Sequence, residues 1–282
     1  MTGSSADRHV IVHAHIFKNA GTTFDFSLGR NFGEGFVDHR EDDEFLKGRN
    51  DYLLDYLASN VQARALSSHS LHFRIQGNDR LQLHPVYFLR HPLARVWSVY
   101  RFEKQQTGTN TAGARRAKEM DLNAYVDWYL QEGSPATIRN VHTIFLSGEG
   151  PSPDNMDNKY AVAAAYLADP QADFGIVERY SDSMLVLEET LRDYFPDLDL
   201  AYIRRNVSAE NPGQPVGESV EALLDKLEPD VALRLHELNE FDLSLYQQAN
   251  ARLDAQLSKV SNLEEKRQAF AERCRQLQAA SS

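Results

Sequence analysis

The stretch HIFKNAGTTF sets Lys18, Asn19, Ala20, Gly21, Thr22 and Thr23 between a run that reads as a strand and one that reads as a short helix. A strand-to-helix turn brings free backbone N–H groups and the positive end of a helix dipole to one point, which suits an anion. Gly21 is expected to let the backbone approach that anion closely. The threonine hydroxyls add donors, and Lys18 adds a full positive charge. The common nucleotide loop G-x-x-x-x-G-K-[ST] is absent, because here the lysine precedes the glycine and the loop is short. No acidic run of the magnesium-holding kind accompanies it, which argues against an ATPase or GTPase.

A second cluster lies in YFLRHPLARVWSVYRFEK. Arg90 follows a short apolar run, and Ser98 comes eight residues later, in a helix that Pro92 is suited to begin. An arginine at the carboxyl end of a parallel strand faces the crevice where α/β sheets bind ligands. A guanidinium beside a hydroxyl makes a phosphate fork. Two anion sites on neighbouring strand ends fit a ligand with phosphates at both ends of one nucleoside. His13 and His15 share a strand face at period two and suggest a metal pair. No third ligand with suitable spacing appears, so no metal is expected.

These residues need strands and helices to hold them. His9 to Phe17 reads as a buried strand, Pro85 to Leu89 as a second and Phe174 to Val177 as a third. Phe45 to Leu66 reads as a helix, and Asp121 can cap another whose apolar positions run Leu122, Tyr125, Val126, Tyr129, Leu130. Gln105 to Ala117, rich in Gly, Thr and Ala, reads as a mobile loop. Ser181 starts a helix that stops before Pro196, and the chain beyond Glu218 is almost all helical, interrupted near Pro229. Alternating strands and helices predict an α/β fold with a central parallel sheet flanked by helices and a helical C-terminal region.

Composition agrees with that class. The 282 residues are 42% hydrophobic and 25% charged, enough for a sizeable core. The Pro/Gly loop at Gly148 to Asn158 has no compositional shift on its flanks. One domain is therefore expected over residues 1–282, with a core at about 9–249 and a helical tail at 250–282 that packs or oligomerises. No stretch approaches the roughly 20 apolar residues of a membrane span. A formal net charge of −11 repels nucleic-acid backbones. Cys274 is the single cysteine, which excludes an internal disulfide and fits a cytoplasmic setting.

The pairing of H-I-x-K-x-x-G-T-[ST] with L-R-x-P-x-x-R-x-x-S-x-Y resembles the sulfotransferases that use 3′-phosphoadenosine 5′-phosphosulfate (PAPS). The likeness is greatest to the carbohydrate branch with the Golgi 2-O- and 6-O-sulfotransferases and bacterial relatives. RNVHTIFLSG, FGIVERYSDSMLVLEETL and LHELNEFDLSLYQQA agree with it, so it covers about His9 to Ala249. Phe17 stands where proline often precedes the motif lysine and is expected to point away from the loop donors.

The resemblance implies a P-loop-like fold that needs no metal and a hydroxyl acceptor of glycan type, with PAP as product. Lys18 to Thr23 would hold the 5′-phosphosulfate, and Arg90 with Ser98 the 3′-phosphate. Lys18 would also neutralise charge on the leaving oxygen, and Arg204 or Arg205 would close over the 3′-phosphate. Relatives carry a catalytic histidine before the second phosphate strand. In LSSHSLHF, His69 matches best and His72 is the alternative; either is expected to titrate near neutrality. Whether this stretch is helical or extended stays open. Two other readings remain: an ATP-dependent small-molecule kinase using the same loop, and a non-catalytic PAP-binding module.

Overall fold

The computed structural model describes residues 8–40, 42–108, 111–203 and 216–281; Arg204 and Arg205 lie outside them. In chain order come β1 (Arg8–Ala14), α1 (Gly21–Phe32), β2 (Phe36–Asp38), α2 (Asp42–Ser59), β3 (Ala65–Ser68) and β4 (Leu81–Leu89). Next are α3 (Pro92–Gln105), α4 (Ala112–Glu119), α5 (Leu122–Leu130), α6 (Val141–Ser147), α7 (Met156–Ala168) and β5 (Asp173–Ile176). Helices α8 (Tyr180–Leu191), α9 (Val216–Leu224), α10 (Pro229–Glu237), α11 (Glu240–Leu257) and α12 (Leu263–Ala280) follow.

The five strands form one parallel sheet in the order β2-β3-β1-β4-β5. Parallel strands need helical crossovers, and these bury the sheet on both faces. Val10, Val12 and Ala14 pack into one layer with α2, α6, α7 and α11, while Ile11 packs into the other with α1, α8 and α12. A third apolar cluster joins α3, α5 and α10 through Val96, Tyr125 and Leu235. The connection from β1 leads towards β2, and that from β4 leads towards β5 on the other side. The chain therefore reverses direction between β1 and β4, which is where open α/β sheets bind ligands.

Two expected elements need correction. The helix read through Leu66 ends at Ser59, and Ala65–Ser68 is a strand inside the sheet. All four residues of β3 are buried, so they lack the polar alternation that marks a half-exposed strand. The loop read at 105–117 contains α4, whose cap is Thr111: its side chain accepts from the Ala114 N–H. The glycine and threonine content had concealed that cap.

Helices α6 and α11 cap each other across a long sequence gap. Asp242 accepts from the backbone N–H of His142 (2.9 Å) and of Thr143 (2.8 Å), and from the Thr143 hydroxyl. In return Asn140 Oδ1 accepts from the Asp242 N–H, and Asn239 Oδ1 from the Asn140 N–H. Each helix start thereby satisfies donors that its own turn leaves orphaned. The C-terminal helix docks within the chain: Phe270 is buried among residues of α8, Arg267 pairs with Asp182, and Arg273 with Glu188. No helix among the described residues is long and apolar enough to cross a membrane.

Candidate active site

The carboxyl ends of β1, β3 and β4 lie side by side, and the loop lysine, His69 and Arg90 follow them. The loop after β1 turns through two left-handed residues, Lys18 (φ 65°) and Ala20 (φ 57°). Backbone of this kind lets neighbouring N–H groups line a concavity. Ala20 offers no side-chain cap to α1, and the Thr23 N–H turns to the Ala20 carbonyl, so an anion at this end would meet the N–H groups of the residues before it. Thr22 is exposed at this end and Thr23 is buried.

Lys18 is unusually placed for a lysine. Its Nζ lies 4.2 Å from the centroid of the Phe102 ring. Burial, with Arg90 and Arg95 close by, pushes its pKa down to about 8. The Phe17 ring meets Phe102 edge-on at 5.3 Å, buttressing the platform under Lys18. Buried Arg95, which was not singled out from the sequence, ties the loop to α3 by donating to the Phe17 and Thr137 carbonyls. Arg95 and Phe102 both touch the loop side of α3. Ser98, three residues from one and four from the other, shares that face.

Arg90 reaches back to the loop and donates to the Lys18 carbonyl at 3.0 Å. Its Nε is buried without a hydrogen-bond partner, and the nearest carboxylate oxygen, on Glu178, is 4.0 Å away. Glu178 is itself held by the His91 N–H and the Tyr246 hydroxyl. Burial raises its pKa despite the Arg90 charge. Lys18, Arg90 and Arg95 thus form a partly buried cationic group with an unsatisfied guanidinium nitrogen. That donor set fits a polyanion such as a nucleotide phosphate.

His69 follows β3 directly, in a turn that leads into an irregular stretch, so the helical arrangement of His69 and His72 does not occur. Its Nδ1 lies 2.6 Å from the His15 carbonyl, which can only accept, so Nδ1 carries the proton and Nε2 is the basic nitrogen. Burial and the adjacent His15 push its pKa down to about 4, away from the expected neutral range. His72 packs elsewhere, its ring 4.1 Å from that of Phe145.

The missing third partner of His13 and His15 is Asp25 on α1. Its two oxygens lie 2.7 Å from His13 Nδ1 and 2.8 Å from His15 Nδ1. The expectation that no such residue exists is corrected: the three donor groups are buried within 4.8 Å of one another. His13 Nδ1 hydrogen-bonds Asp25 while His15 Nδ1 stands at ion-pair distance, and the two imidazoles hold the Asp25 carboxyl well below its usual range although burial alone would raise it. The clue lay in Asp25 sitting between Phe24 and Leu28 on the buried side of α1.

Gly21 also has a packing reason that the sequence did not show. Its φ is not positive, but a Cβ there would fall inside the His15 imidazole. The glycine makes room for that ring. Gly21→Ala is expected to cost about 1–3 kcal/mol in denaturant unfolding through overpacking. A variant as stable as the parent would show that His15 can move aside.

A family model described as "Sulfotransferase family" matches residues 4–248. An uncharacterised protein of Archaeoglobus fulgidus is 30% identical over 247 residues, which covers 86% of this chain and 96% of that one. No solved structure matches. The family match spans the sheet, the Lys18 loop, the Arg90 strand end and the crossed caps of α6 and α11, and the chain belongs to the sulfotransferase family.

Proposed function

We propose that the chain moves a sulfuryl group from PAPS to the hydroxyl of a glycan-type acceptor, without a metal. The observation that supports this most is the cationic group of Lys18, Arg90 and Arg95 beside the uncapped start of α1, with the Nε2 lone pair of His69 at the next strand end. The glycan assignment rests on the likeness of the two phosphate motifs to the carbohydrate branch.

Bound PAPS supplies the activated sulfuryl group. The Lys18 to Thr23 loop holds the 5′ side, and Arg90 with Ser98 the 3′-phosphate. His69 Nε2 takes the acceptor proton as the acceptor oxygen bonds to sulfur and the bond from sulfur to the 5′-phosphate oxygen breaks. Lys18 stabilises the charge left on that oxygen. In such a displacement, positioning and fixed charge supply most of the acceleration.

Calorimetry without magnesium tests the reading. PAP is expected to bind in the micromolar range and ATP, lacking a 3′-phosphate, at least about tenfold more weakly, because a hydrogen bond between charged groups is worth roughly 1.5–3 kcal/mol. Arg90→Ala should remove most of that preference. Equal affinity for ATP and PAP would sink the proposal and favour a kinase.

A further inference from the structure

His142 belongs to neither phosphate motif, yet it touches both. It is fully buried at the second position of α6. Its Nε2 lies 2.8 Å from Asn19 Nδ2, in the 5′ loop, and 3.3 Å from the backbone nitrogen of Arg90. Both neighbours are donors, and Asn19 donates its other hydrogen to the Phe88 carbonyl on β4. Nε2 must therefore be bare, which leaves the ring proton on Nδ1, 2.8 Å from Asp242 Oδ2. Asp242 is buried, fixed by the N–H groups at the start of α6, and held below the ordinary carboxylate range by His142 and those N–H groups against the opposing effect of burial. The Asp242 carboxylate thus faces the protonated edge of His142 at ion-pair distance and favours this tautomer by its charge, although Nδ1 makes no hydrogen bond.

We propose that His142, held by Asp242, is a positioning residue that locks the 5′ loop and the Arg90 strand end into one unit, so that the two phosphates of PAP bind cooperatively. This rests on the PAPS reading above. A direct strap also exists, from Arg90 Nη1 to the Lys18 carbonyl. That strap uses the guanidinium, which a 3′-phosphate would engage. The His142 link uses the Arg90 backbone and the Asn19 side chain, so it persists when phosphate binds. Occupying one phosphate site orders the loop or the strand end, and the rigid imidazole transmits that order to the other site as a coupling free energy.

The test is calorimetry of adenosine 5′-monophosphate, adenosine 3′-monophosphate and PAP on the native chain, His142→Leu and His142→Gln. Thermal unfolding checks that each variant is folded. Leucine removes the acceptor, whereas a glutamine oxygen can stand near Nε2. In His142→Leu, PAP affinity is expected to fall at least about tenfold further than that of either monophosphate, the scale of one buried hydrogen bond to an ordered donor pair. Glutamine should restore most of the loss. If leucine does not fold, His142→Ala, which also lacks the acceptor, takes its place with the same loss of coupling expected. A folded variant without the acceptor in which all three ligands weaken by one common factor, or none weakens, overturns the coupling role while leaving the PAPS reading intact. Failure of PAP to bind the native chain overturns both.

Discussion

His69→Ala is expected to lower kcat by roughly 10² to 10⁴, the range for losing a general base, while PAP affinity stays near that of the parent. The imidazole is fixed by its Nδ1–H to the His15 carbonyl, so its free nitrogen is a single defined base. The pH profile is the sharper readout. Because burial and His15 set its pKa at about 4, the neutral, base-competent form persists as pH falls through 6.5. The acid limb of kcat/KM should therefore lie near about 4 and disappear in the variant. An acid limb near neutrality that survives in His69→Ala would move the search for the base to His72 or to a carboxylate.

Lys18→Ala should lower kcat by roughly 10² to 10³, the scale for removing one donor to a developing anionic oxygen. PAP affinity should change less, because the charge matters most as the bond to sulfur breaks. The depressed pKa adds an independent check. With a free value of about 8, the ammonium loses its proton as pH rises through that point, and a bound anion raises the value again. Binding at pH 8 should take up about half a proton, and affinity should decline at higher pH. Calorimetry in buffers of different ionisation enthalpy reads that uptake. Its persistence in Lys18→Ala would assign it to another group.

The parts of the site legible in the sequence were those set by short segments. Lys18 to Thr23 and Arg90 follow strands with a polar residue at the exit, and local pattern is enough to place such residues at a sheet end. What escaped depends on pairs that only the fold brings together. Asp242 lies 100 residues from His142, and an acidic residue three after Asn239 reads as a cap for its own helix, whereas it caps α6. Asp25 sits on an apolar helix face and looks like an imperfection until two histidines meet it. Strand β3 escaped for another reason: burial on both sides removes the periodicity that separates strand from helix.

The crossed caps of α6 and α11 also set a point in biosynthesis. The nascent chain carries the Lys18 loop and Arg90 early, and α6 soon after, but the carboxylate that fixes His142 is made only at residue 242. Until then the start of α6 lacks its Asp242 acceptor, and the His142 link between the β1 and β4 ends lacks the carboxylate behind it, while the strand pairing and the Arg90 strap are already in place. Ribosome-bound chains truncated before α11 should therefore hold nucleotide more weakly than the full chain even with the central strands complete.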